Sequence, residues 1–217
     1  MTRLLLAVVL GTLVSSAHAF SFSEEEKQQQ DAEAAARKRV GSLLATPCKQ
    51  AIKDKRIMVV IAERGSKGML ADQEAYSPEF QAIDKRLKKL GLNTFTQAEM
   101  KAKIAQAEID AYLKNDIDAA LNASKKMGSD FILKGVISSK TAINPILRIP
   151  EVYVSMGFTL TGADGRTISE AGGRAESYSG TDTGHMALTL INEQAEGVVA
   201  KLYSDYCRAA GVEGKRK

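Results

Sequence analysis

Histidine and cysteine are scarce in this chain of 217 residues, which contains two of each. His18 lies in an N-terminal segment that we expect to be removed, so His185 is the one histidine of the mature chain. A zinc site built from two or three histidines therefore cannot form within one mature chain. A lone histidine in the first turn of a predicted helix is typical of an exposed surface residue.

Recognisable catalytic and nucleotide-binding motifs are also missing. The chain has no G-x-S-x-G, no G-x-x-x-x-G-K-[ST] and no G-x-G-x-x-G. Residues 65–68 (GSKG) follow the first predicted strand, where phosphate loops often lie, but the short pattern favours a flexible loop. We therefore predict no catalytic residues, no cofactor and no metal. The alternative is a small secreted enzyme or ligand-binding protein with a pocket near the loop at 63–76.

The net charge of the chain is low, which argues against a nucleic-acid partner. The formal net charge is +4, and removal of Arg3 with the N-terminal segment reduces it to +3. The basic groups, including the tail Lys215–Lys217, are interpreted as solvated surface.

Only the N-terminus carries a long apolar run. Arg3 precedes the run Leu4–Val14, and Ala17 and Ala19 give the small-x-small pattern that signal peptidase reads. The run is shorter than the roughly 20 residues that span a bilayer. We predict a cleaved signal peptide at 1–19 and a periplasmic or secreted protein, the alternative being an N-terminal core helix. No cysteine lies near the cleavage point, which argues against lipid attachment there.

The two cysteines, Cys48 and Cys207, lie far apart in the sequence. An exported protein meets an oxidising compartment, so we predict that they form a disulfide. Two reduced, buried thiols are the alternative.

Residue patterns divide the mature chain into three parts. Residues 20–47 are expected to form a helical arm, either frayed or partner-binding, because the first half of its helix offers only alanines as apolar groups. Residues 48–209 are predicted to be a single α/β domain, and 210–217 a basic tail.

The domain shows early alternation of strands and helices and a late hairpin. Alternating apolar and polar residues at 152–160 predict a strand with one buried face, and a returning strand is expected at about 167–179. The whole order predicts an α/β fold with a mixed sheet, a late antiparallel hairpin and a C-terminal helix packed on the sheet. The remaining predicted strands are 56–62, 92–95 and 131–138, and the helices are 78–90, 96–113, 116–128 and 182–209.

One stretch of the domain resembles a known superfamily. Ala119–Leu121 followed by Lys126–Ile137 (KMGSDFILKGVI) is similar to a signature of the TolB N-terminal-like superfamily, which includes the periplasmic domains of CsgG and LpoB. The resemblance implies a non-enzymatic periplasmic module that binds protein partners at the cell envelope, often as an oligomer. Those relatives are commonly lipoproteins, whereas this chain lacks the lipid-bearing cysteine, so the resemblance implies that a partner would supply any tethering to the outer membrane.

Overall fold

The computed structural model of the protein describes residues 22–65, 68–70 and 78–210. The predicted signal peptide, with Ala17 and Ala19, lies outside the described residues, as does the tail from residue 211. The chain forms two compact units, one up to Ala35 and one from Ala36 onward. In the first unit the described residues are helical and their described side chains are exposed.

The described residues form seven helices and six strands. The helices are α1 (Phe22–Leu44), α2 (Lys49–Ile52), α3 (Pro78–Lys89), α4 (Gln97–Lys103), α5 (Gln106–Leu113), α6 (Ile117–Met127) and α7 (Thr183–Ala209). The strands are β1 (Arg56–Gly65), β2 (Gly68–Leu70), β3 (Asn93–Thr94), β4 (Phe131–Ile143), β5 (Pro150–Gly162) and β6 (Thr167–Tyr178).

All six strands belong to one mixed sheet, with the order β2-β1-β4-β5-β6 and with β3 also paired to β1. The β1–β4 pair is parallel and runs from Ile57 opposite Phe131 to Glu63 opposite Ile137. The β4–β5 and β5–β6 pairs are antiparallel. The predicted α/β fold, with a mixed sheet, a late hairpin and a C-terminal helix, is therefore confirmed.

Helices cover one face of the sheet more completely than the other. On the first face, α3 and α7 pack on a core that includes Leu133, Val154 and Phe158. On the second face, the core beneath α4, α5 and α6 takes its strand residues from β1 and β4, such as Met58 and Ile132. The second face of β5 and β6 is consequently lined by polar side chains that are exposed or half-buried.

Small residues allow the tight packing of the first face. A Cβ on Gly135 would lie 2.2 Å from Phe158 Cε1, so the Phe158 ring occupies the space above that glycine. A Cβ on Gly173 would lie 2.8 Å from Gln194 Oε1, which shows how closely α7 approaches β6. Small residues of β6 such as Ala171 and Gly173 therefore lie beneath α7.

Local structure departs from the sequence predictions in three places. The strand predicted at 131–138 continues to Ile143 as β4. The helix expected over 96–113 is interrupted at Ile104, which has extended backbone angles and a buried side chain. The Glu108 carboxylate accepts a hydrogen bond from Ala105 N (3.2 Å) and begins a new helix there. In addition, part of the loop predicted at 63–76 is strand, because β1 continues to Gly65 and pairs with β2 at 68–70.

Candidate functional site

Strands β4, β5 and β6 extend together well past the point where β1 stops pairing with β4. Pairing with β1 ends at Ile137, and from Ser138 to Ile143 the only strand paired with β4 in the described residues is β5. On its other side, β5 pairs with β6 as far as Glu151 opposite Tyr178. We call this three-stranded extension the distal end, comprising residues 138–155 and 174–178.

The turn of the hairpin, residues 144–149, is built around Asn144. The Asn144 Oδ1 accepts hydrogen bonds from Ile146 N and Leu147 N, both at 3.0 Å. Asn144 N donates to Ile149 O (2.9 Å), and Arg148 N donates to Asn144 O (2.8 Å). Arg148 has φ of 56°, a left-handed conformation that non-glycine residues adopt uncommonly. The turn therefore has a defined conformation fixed by its own hydrogen bonds.

This turn and its flanks carry an apolar surface. Ile146 is 86% exposed, and Ile143, Leu147 and Ile149 are also exposed. We call these four residues the aliphatic tip. Single exposed apolar residues are ordinary in proteins, but a contiguous group of them marks a contact surface. Of the seven large hydrophobic residues that are exposed in the described part of the chain, six lie at the distal end, the other two being Tyr153 and Tyr178.

Behind the aliphatic tip, the second face of the distal end carries tyrosines and charges. Tyr153 lies in register between Lys140 on β4 and Glu176 on β6. The hydrogen bond to Glu151, with burial and the nearby acidic charges, raises the pKa of Tyr153 to about 12. The same Glu151 carboxylate accepts from Asn144 Nδ2 at 3.5 Å. Glu151 thus connects the turn to the layer of tyrosines.

The predicted disulfide lies elsewhere in the molecule. Cys48 and Cys207 are bonded in the structure, with their Cα atoms 5.4 Å apart and both residues fully buried. Tyr203 strengthens the same junction, since its hydroxyl accepts from Cys48 N (3.2 Å) and donates to Thr46 O (2.7 Å). The pair fastens the start of the domain to its last helix and has a structural rather than a chemical role.

Other predicted features do not assemble into a site. His185 is exposed in the first turn of α7, where its N–H donates to Asp182 Oδ1 at 2.9 Å. Most of the loop proposed to line a pocket lies outside the described residues, at 66–67 and 71–77. Within the described ranges, no three His, Cys, Asp or Glu residues are grouped to hold a metal ion.

A cavity of about 230 Å³ lies between α3 and α7 and has a basic rim. Its most buried cation, Arg86, donates to Ala82 O and Asn192 O, both at 2.7 Å. Burial lowers the pKa of Arg86, although the Glu196 carboxylate opposes this shift. Because the guanidinium binds backbone oxygens on both helices, it joins α3 to α7.

A membrane span is not found among the helices that the structure describes, since none is both long and apolar enough. The aliphatic tip was not anticipated from sequence. Its only signal was the density of isoleucine and leucine between Pro145 and Pro150, a segment that otherwise has the pattern of a loop.

Comparison with known proteins gives structural neighbours only. No family model and no curated protein matches the chain. Among solved structures, the chain is similar to a PelC dodecamer from Paraburkholderia phytofirmans, with 16% identity, 67% of this chain and 88% of that chain covered, and a TM-score of 0.40. The lipoprotein GNA1162 from Neisseria meningitidis matches with 15% identity, coverages of 64% and 96%, and a TM-score of 0.39.

The C-terminal domain of LpoB from Salmonella enterica is also similar, with 12% identity, coverages of 63% and 91%, and a TM-score of 0.37. This neighbour is one of the proteins that the sequence resemblance names, whereas the TolB and CsgG parts of that resemblance stay predictions. At such identities and TM-scores no function is carried over from any of these proteins.

Proposed function

We propose that this chain is an exported, non-catalytic binding or assembly factor of a cell-envelope complex, acting in the periplasm or after secretion. The observation that carries the proposal is the concentration of exposed hydrophobic residues at the distal end. The signal-like segment at 1–19 and the buried disulfide support an oxidising compartment outside the cytosol.

Protein partners, including further copies of this chain, are proposed to contact the second face of the distal end. That face carries Tyr153 and the mixed charges of Lys140, Arg174 and Glu176, all exposed. Tyrosine and arginine are enriched where proteins bind one another, and mixed charges select a surface with the complementary pattern.

Crosslinking in the producing cells tests this proposal. A photoreactive amino acid in place of Arg174 is expected to give a covalent adduct with an envelope protein or with a second copy. The same amino acid in place of Ile117, which is 63% exposed at the start of α6, is the control and is expected to give none. Equal labelling from both positions, or protein recovered from the cytosol with residues 1–19 attached, would contradict the proposal.

A further inference from the structure

The aliphatic tip raises the question of which partner accepts it. From the structure we infer that the tip inserts into the interfacial region of a lipid bilayer and holds the protein at a membrane surface. This inference rests on the proposed function in one respect only, namely that the protein works at the cell envelope.

Backbone hydrogen bonding within the turn is the first observation behind the inference. Water is absent from hydrocarbon, so a backbone N–H that enters it must have a partner within the protein. Four of the five backbone N–H groups at 144–149, those of Asn144, Ile146, Leu147 and Arg148, are bonded inside the turn. Pro145 has no N–H. An ordinary surface loop does not require this degree of internal bonding, because water satisfies its amides.

The order of side chains along the hairpin is the second observation. The aliphatic tip comes first. Tyr178 follows level with Glu151, Tyr153 lies level with Lys140 and Glu176, and Ser138, Ser139 and Ser155 lie behind them. A bilayer presents hydrocarbon first and then the interface, where tyrosine is enriched and charged side chains reach the headgroups. Tyr153 lies three positions beyond Pro150, which is about 10 Å of strand. Elements that lie in the interface bury about 5–10 Å, so the depths agree.

Charge at the distal end is close to balanced and does not supply the attraction. The cations are Lys140, Arg148 and Arg174, and the anions are Glu151 and Glu176. Long cationic side chains such as Arg148 can keep the charged group at the phosphates while the stem lies among apolar groups. Glu151 is bound to Asn144 and Tyr153. Binding should therefore depend on apolar contact and should change little with salt or with the charge of the lipid.

Fluorescence provides a direct test, because the chain contains no tryptophan. The exported, processed protein carrying Ile146→Trp is mixed with vesicles of phosphatidylcholine, or of phosphatidylethanolamine with phosphatidylglycerol. Its emission is expected to shift to the blue with both lipids and at high salt, and brominated acyl chains should quench it. The variant Ile117→Trp, at an exposed position off the tip, should show neither effect.

Two further variants distinguish insertion into the bilayer from non-specific adsorption to its surface. Ile146→Ser with Leu147→Ser should weaken vesicle binding by about tenfold or more, whereas Ile117→Ser should leave it unchanged. Asn144→Ala makes the turn more apolar but removes the acceptor of two amides, so it should also weaken binding while thermal unfolding shows an intact fold. Stronger binding by Asn144→Ala would overturn the inference.

The outcomes distinguish this inference from the proposed function. Absence of a blue shift with every vesicle, combined with a protein adduct from a photoreactive residue at position 146 in cells, overturns the lipid assignment and leaves the binding factor standing. Adducts from neither position 146 nor position 174, together with no vesicle binding, overturn both. Vesicle binding that salt abolishes contradicts the inference, because it would indicate adsorption through charge.

Discussion

Removal of the Cys48–Cys207 disulfide should destabilise the domain strongly. The bond joins residues 159 positions apart, and in the chain-entropy model a loop of that length stabilises the folded state by about 5 kcal/mol. Domains are typically stable by about 5–15 kcal/mol, so this is a large share of the total. The double variant Cys48→Ala with Cys207→Ala should therefore lose about 3–5 kcal/mol, since measured effects fall below the model.

Urea denaturation of the oxidised protein and of this double variant measures the effect. The slope with urea should stay similar or rise slightly, because the unfolded chain without the bond is less compact. Tyr203→Phe is the matched control at the same junction, as it removes the non-covalent connection and leaves Cys48 N without its acceptor. That variant should lose about 1–3 kcal/mol. If the double variant unfolds at the same urea concentration as the parent protein, the stabilising role assigned to the disulfide is wrong.

Two other variants test the packing and the electrostatics of the sheet. Gly135→Ala should destabilise by about 1–3 kcal/mol, because its Cβ would overlap the Phe158 ring, and Phe158→Leu in the same chain should recover part of the loss. A Gly135→Ala protein as stable as the parent in urea would show that the ring moves freely. Burial raises the pKa of Asp130, but hydrogen bonds from Arg56 N (2.8 Å) and Lys55 Nζ (2.9 Å) outweigh it and leave the pKa below its ordinary value. A lowered carboxyl pKa stabilises the fold above the unfolded value of about 3.9 and ceases to do so as the pH falls through the folded value. Asp130→Asn should thus cost about 1 kcal/mol at neutral pH, with a difference that shrinks in urea titrations as the pH falls below the unfolded value of about 3.9, and a difference independent of pH would contradict this.

Elements specified by their own residues were predictable from sequence. The helix at 116–128 has both of its boundaries encoded, since Asp116 Oδ1 accepts from Ala119 N and Gly128 ends the helix with a φ of 64°. The strand Val152–Leu160 shows a period of two because α7 covers one face and leaves the other to solvent. In both cases the residues of the element itself specify its structure, through helix caps in the first and through alternating burial in the second.

Elements decided by distant contacts were not predictable. The break at Ile104 exists because that side chain is buried in the core beneath α4, α5 and α6, and nothing in the local helical pattern reports it. The aliphatic tip is a stronger case. Whether residues 143–149 face the core or water depends on how far β4 extends past β1, and that extent is fixed by pairing between strands rather than by the turn itself.

Different residues support the fold of the hairpin and form its exposed contact surface. Behind the tip, Val152 and Val154 are buried in the same core as α7, so the extension is supported without any help from the turn. The aliphatic tip lies beyond that support and contributes exposed rather than buried area. Substitutions at Ile146 should consequently change the free energy of unfolding by no more than about 0.5 kcal/mol while they change binding. A polar turn would serve the fold equally well. The exposed isoleucine, which stabilises nothing in the isolated chain, therefore indicates that the tip contacts another molecule.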